Sequence, residues 1–212
     1  MVSRIILVVI YVSVFSIHSL AQVTYDRLLT AEAEPHNWLS YSGTYKSQRH
    51  SLLEEVSKTN VKTLELKWVF QAQSFQSFEA SPLVVDEIMY LTQPPNDVIA
   101  IDARTGRLFW IYSHEPLSTS RPCCGRVNRG LAILGHTLFM ATIDAQLVAV
   151  DSRDGSLLWQ VEVADPAVGY AMTLAPLVVK DTVLVGVAGG EFGIRGFISA
   201  YDTTTGKERW RF

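Results

Sequence analysis

One pattern recurs three times along this chain and narrows its fold more than any other feature. It reads Ala-x-Asp-x-x-Thr/Asp-Gly-x-x-x-Trp and occupies residues 98–110, 147–159 and 198–210. Its aspartates, Asp102, Asp151 and Asp202, stand 49 and 51 residues apart. Repeats of this length point to propellers or solenoids. The pattern has a local physical meaning. Ala-x-Asp ends a strand, the Asp side chain caps the turn through its own backbone, and the Gly supplies the positive φ that the turn requires. A second strand follows at once and ends in Trp, a ring large enough to wedge between packed sheets. Ahead of each copy lies an apolar run, a two-residue turn and a second apolar run, at 82–92, 132–142 and 176–186. That is the signature of a hairpin. Four strands per period make the blade of a β-propeller.

The sequence therefore predicts an all-β fold of about three to four blades. Residues 64–70, with Trp68, are expected to be the last strand of a blade that precedes the first full repeat. Propellers close with typically about four to eight blades, so an arc of this size has open strand edges. It is expected to need further blades, or partners, to close. Composition agrees with a packed fold. Hydrophobic residues make up 48% and charged residues 18%, the reverse of what keeps a chain disordered. The 18 Lys and Arg against 21 Asp and Glu lack the basic balance of a nucleic-acid binder. Two cysteines are too few for a disulfide-dense scaffold.

Residues 1–21 read as a secretory signal peptide. Arg4 is the positive end, the stretch from Ile5 to Phe15 is apolar apart from Ser13, and Ser19-Leu20-Ala21 offers small residues to a signal peptidase. The apolar run is shorter than the roughly 20 residues of a membrane span. The expectation is an exported, periplasmic chain cleaved before Gln22, with residues 22–212 forming one partial propeller domain.

Chemistry is concentrated between the blades. Cys123 and Cys124 are adjacent. They are either two free thiols or a bond closing an eight-membered ring. Neighbouring Cα atoms are about 3.8 Å apart, short of the usual disulfide range of about 4.4–6.8 Å. A loop this small removes little chain entropy, so stability is a poor reason for such a bond and a special surface is a better one. Glu79, Arg129 and Thr173 each sit just ahead of a blade's first strand, and such positions converge on a propeller axis. A planar guanidinium suits a pair of oxygens. In Ala188-Gly189-Gly190-Glu191 the glycines let backbone approach a ligand closely, and the carboxylate is a hard oxygen donor.

The opening Asn37-Trp-Leu-Ser-Tyr-Ser-Gly-Thr-Tyr-Lys-Ser-Gln-Arg-His-Ser51, the segment from Thr59 to Trp68 and the Trp-bearing repeats resemble the pyrroloquinoline-quinone (PQQ) dependent alcohol dehydrogenases of the methanol and ethanol dehydrogenase type. The resemblance runs from about Trp38 to Phe212. It implies an eight-bladed propeller with PQQ on its axis and Ca2+ or a lanthanide beside it. Residue by residue, it implies a vicinal disulfide of Cys123 and Cys124 stacked on PQQ, Arg129 at the quinone carbonyl, Glu79 as a polar contact and Thr173 as a carboxylate ligand. Ala188, Gly189 and Gly190 would pass close to the cofactor and Glu191 would bind the metal. Where many relatives have Ser and Ala, this chain has Ala188 and Gly190, which removes a hydroxyl. The family's asparagine metal ligand, aspartate base and tryptophan floor lie on later blades, so the chain alone is expected to be inactive. The implied partners are a small alcohol and a periplasmic cytochrome c or similar acceptor, with no nucleic acid. There is no Cys-x-x-Cys-His for haem attachment. The competing reading is an exported, non-catalytic propeller used as an assembly scaffold. The Cys-Cys pair, Arg129 and Glu191 favour the enzyme.

Overall fold

The computed structural model describes residues 22–212. The proposed signal peptide lies outside these residues. Twelve strands form three four-stranded antiparallel meanders. The first blade is β1 (Leu83–Val85), β2 (Ile88–Gln93), β3 (Asp97–Asp102) and β4 (Leu108–Ser113). The second is β5 (Leu131–Leu134), β6 (Thr137–Ala141), β7 (Gln146–Asp151) and β8 (Leu157–Glu162). The third is β9 (Leu177–Val179), β10 (Thr182–Gly186), β11 (Ile198–Asp202) and β12 (Glu208–Arg211). The expected blades are present in the expected order.

The repeated motif builds the same corner in each blade. Asp102 Oδ1 accepts from the Arg104 and Thr105 amides at 2.8 and 3.1 Å. Asp202 Oδ1 accepts from Thr204 and Thr205 at 3.1 and 2.9 Å, and Asp151 from Arg153 at 2.9 Å. The glycines that follow have φ of 72°, 76° and 69°. Pairing register slips just after the motif alanine in all three blades, at Ala100, Ala149 and Ala200. Such a bulge bends a strand and raises its twist.

Trp68, Trp110 and Trp159 each reach the corner of the following blade. A Cβ on Gly106 would meet the Trp68 ring at 2.5 Å, one on Gly155 the Trp110 ring at 2.5 Å, and one on Gly206 the Trp159 ring at 2.7 Å. The motif glycine thus serves twice, as a left-handed turn residue and as a flat seat for an indole. Trp68 and Trp159 Nε1–H also donate to the Ala103 and Thr203 carbonyls, both at 3.2 Å. At the middle junction the Tyr90 hydroxyl donates to the Ser152 carbonyl instead, at 3.1 Å.

One expectation fails. Residues 64–70 form no strand, and Leu64, Leu66 and Val69 are exposed. A strand exists only by pairing, and among the described residues this segment has no strand beside it. Trp68 docks on the first blade regardless, because that contact needs only the Gly106 corner.

The N-terminal segment fastens the blades together. Helix α1 (Tyr25–Leu29) is capped by Thr24, whose hydroxyl accepts from the Arg27 amide at 3.1 Å. Arg27 holds Glu34 at 2.6 Å and Asp86, in the β1–β2 turn, at 2.5 Å. Val23 exchanges backbone hydrogen bonds with Gly135 of the second blade, and Trp38 with Val84 of the first. The Tyr45 hydroxyl donates to Val178 of the third at 2.5 Å. Burial pushes the Tyr45 phenol up to about 12, so it stays a donor at neutral pH.

Candidate functional site

The lead-ins to the first strands lie side by side. The Ser81 amide donates to the Arg129 carbonyl at 3.1 Å, and the Arg129 amide to the Thr173 carbonyl at 3.0 Å. Residues separated by 48 and 44 positions become neighbours because each occupies the same place in successive blades. Their side chains follow. Arg129 reaches Glu79 at 2.8 Å on one side and the Thr173 hydroxyl at 2.6 Å on the other. Glu79 and Arg129 each expose about 40% of their side chains, so water screens the pair and it contributes little to stability. The arrangement suits a surface that holds a polar guest: a fork of donors kept in place, with an acceptor and a hydroxyl at its flanks.

Cys123 and Cys124 form a disulfide with each other. Both are exposed, on a loop that has no strand or helix. Sulfur bonded to sulfur is a poor hydrogen-bond acceptor, and the pair presents a compact, polarizable plate at the surface.

The Ala188–Glu191 turn is built from the third blade. Ala188 pairs with Ala171, two residues before Thr173. Gly189 has φ 128°, and a Cβ there would collide with the Gly169 carbonyl. Gly190 has nothing within 4 Å of a Cβ and faces open space. Glu191, in the short turn Gly190–Phe192, is exposed and makes no hydrogen bond or ion pair with other described residues. The structure thus joins Glu79, Arg129 and Thr173 directly. It ties Ala188 to the strand lead-in that carries Thr173, and it leaves Glu191 at the end of that turn without a partner.

The residues fit two guests unequally. A planar, carboxylate-bearing quinone matches the disulfide plate, the guanidinium and the Thr173 hydroxyl. Ca2+ takes about 6–8 oxygens. Among the described residues no group of three or more His, Cys, Asp or Glu could hold a metal, so these residues form no complete shell around Glu191.

Sequence reasoning missed the groups that hold the chain leading into the disulfide loop. Asp144, in the β6–β7 turn, is 1% exposed and meets His114 Nε2 at 3.0 Å. The Leu117 amide donates to it at 3.3 Å. Burial pushes the Asp144 carboxyl up, but hydrogen bonds from His114, Thr142 and the Leu117 amide outweigh it and hold the group below the usual carboxylate range. An acid in a hairpin turn reads as a solvated tip. Only the tertiary contact with the loop at 114–120 reveals otherwise.

A three-blade arc with tryptophans seated on corner glycines, with polar side chains meeting at the strand lead-ins and a vicinal disulfide on the loop that runs into one of them, defines a quinoprotein-type propeller. Residues 38–212 match the family described as PQQ: glucose/ethanol/alcohol dehydrogenase, β-propeller domain, and the chain belongs to that family. It is 42% identical over 197 residues to quinohemoprotein alcohol dehydrogenase ADH-IIG of Pseudomonas putida, covering 91% of this chain and 27% of that one. It is 41% identical over 190 residues to the lanthanide-dependent methanol dehydrogenase of Methylacidiphilum fumariolicum, covering 87% and 31%. The solved structure of ADHIIG from Pseudomonas putida HK5 superposes with a TM-score of 0.84 at 40% identity, covering 91% of this chain and 29% of that one. The chain therefore spans under a third of the length of these relatives.

Proposed function

We propose that this chain provides one wall of the PQQ pocket of an exported, periplasmic alcohol dehydrogenase. The observation that carries this reading is the line Glu79–Arg129–Thr173, drawn from three blades, with an exposed Cys123–Cys124 disulfide five residues before Arg129 in the chain. In this reading the disulfide forms an apolar plate against one face of the quinone. Arg129 directs its fork at the quinone oxygens and favours the charge they gain on reduction. Thr173 donates to a cofactor carboxylate, and Glu79 fixes the guanidinium from the other side. Gly190, open on its Cα side, leaves room for the ring edge, and Glu191 contributes one carboxylate to a Ca2+ or lanthanide ion completed by the remaining blades. PQQ, when bound, supplies the acceptance of two electrons from the alcohol. The protein binds, orients and excludes water. A periplasmic cytochrome c or similar carrier takes the electrons onward, and residues 1–21 are the export signal.

The test is a PQQ titration of the full chain by fluorescence quenching with Ca2+ or La3+ present, beside dye reduction with primary alcohols. Saturable binding that Arg129→Gln weakens about tenfold or more, the loss expected for a charge-assisted hydrogen bond, supports the reading. Saturable binding that Arg129→Gln leaves unchanged would take the guanidinium out of the pocket and overturn it.

A further inference from the structure

The loop that bears the disulfide has a gap in its own support. From Arg121 to Val127 no residue makes a hydrogen bond or ion pair with another described residue. Cys123 and Cys124 sit in the middle of this stretch, so their position is set from its two ends. At the far end Asn128 is fully buried. Its Nδ2 donates to the Ala141 carbonyl at 2.9 Å, its Oδ1 accepts from Gly130, and its carbonyl accepts from the Thr92 hydroxyl at 3.2 Å. At the near end every polar tether runs to one turn of the second blade. His114 Nε2 lies 3.1 and 3.0 Å from the two Asp144 oxygens. The Leu117 amide donates to Asp144, and the Ser120 hydroxyl donates to the Ile143 carbonyl at 2.6 Å. That turn is itself clamped from both neighbouring blades. The Ile143 amide donates to Asn96 Oδ1 at 3.0 Å, and the Met172 amide to the Thr142 carbonyl at 3.2 Å.

We propose that Asp144 is a positioning residue for the Cys123–Cys124 disulfide. It converts the rigid β6–β7 turn into a hook that holds the near end of the loop, and so fixes where the sulfur plate stands. The proposal rests on the pocket reading above for its purpose, but its geometry stands without a cofactor. His114, whose side chain is 9% exposed, is poorly placed to replace a lost carboxylate with water, so removing Asp144 leaves it and the Leu117 amide without their partner. A loop released at one end opens more often, and an opened loop exposes its disulfide to an attacking thiolate.

The experiment measures the rate at which dithiothreitol reduces Cys123–Cys124 in the full chain, read by mass after thiol labelling, with a PQQ titration of the same samples. Asp144→Ala is expected to raise the rate about tenfold, the effect of two lost hydrogen bonds. Asp144→Asn, which keeps an oxygen for the Leu117 amide, is expected to stay within about threefold of the native rate. Ser120→Ala, a mild change at a half-buried site, is expected to raise it about threefold and carries the test if Asp144→Ala fails to fold. Native reduction rates in Asp144→Ala, or in Ser120→Ala where it must stand in, overturn the proposal. PQQ binding that Arg129→Gln leaves unchanged would defeat the pocket reading and leave the reduction rates to decide this one.

Discussion

The Asp-to-Gly corners and the loop that carries the disulfide are held in opposite ways. Each corner is self-sufficient: Asp102, Asp151 and Asp202 accept from amides two or three residues on, and the glycine's own φ completes the turn. The disulfide loop is supported from outside, by Asp144 and Asn128 at its ends. Local rules make a scaffold that repeats without change, while borrowed support lets a loop present an unusual group that its own sequence could not hold. The scaffold tolerates little variation at its seats, and the loop can be altered with the fold intact.

The largest expected effect strikes the scaffold. Trp110→Ala removes the indole that lies on Gly155 and also packs against Tyr90 at a centroid distance of 6.0 Å. Loss of a packed aromatic costs about 3 kcal/mol, to be read from denaturant melts of the full chain. A loss below about 1 kcal/mol would mean that the blades cohere by other contacts.

Next comes a pair of adjacent glycines. Gly189 has a left-handed φ and the Gly169 carbonyl against it, and Gly190 has open space. Gly189→Ala is expected to destabilise by about 2 kcal/mol, and Gly190→Ala by less than about 0.5 kcal/mol. The second variant should nevertheless weaken PQQ, since its methyl group would occupy the pocket side. Equal destabilisation by both would show that the turn is not divided in this way.

The double variant Cys123→Ala/Cys124→Ala separates the two regions most cleanly. The loop it opens contains almost no chain, so folding stability is expected to change by less than about 1 kcal/mol. PQQ affinity is expected to fall about tenfold, equivalent to about 1.4 kcal/mol. A large loss of stability with unchanged affinity would reverse the assignment of roles.

The smallest effect is a pH dependence. Asp144 is held below the ordinary carboxylate range while facing His114, with Tyr112 nearby, whose phenol is pushed up by burial and by the Asp144 charge. A depressed folded-state pKa means that the unfolded chain takes up the proton first. The stabilisation is therefore complete above about pH 4, the ordinary aspartate value, and is lost as pH falls below it. Equilibrium melts between neutral pH and pH 3 are expected to show a shallower acid slope in Asp144→Asn than in the unaltered chain. Parallel slopes would remove Asp144 from the acid response.

This contrast also explains what the sequence could and could not reveal. The blades were legible because Asp, Gly and Trp at fixed offsets act locally, through amides two residues away and a turn that only certain φ values close. Residues 64–70 misled because Trp68 docks as a motif tryptophan does, while the ladder that would make a strand depends on a neighbour. Glu79, Arg129 and Thr173 were legible by their equal place in the repeat, and the structure puts them in direct contact. The pairing of Cys123 with Cys124 came from family resemblance, because adjacency alone leaves free thiols open. Asp144 and His114 were illegible: thirty residues apart in an apparent turn and an apparent loop, they acquire meaning only when a second blade brings them together.

A crystal structure of the full chain soaked with PQQ would test the division of labour most directly. The expected result is quinone density stacked on the Cys123–Cys124 sulfurs, with Arg129 and the Thr173 hydroxyl within hydrogen-bonding reach of its oxygens. Quinone density seated elsewhere, with the disulfide left facing bulk solvent, would contradict it.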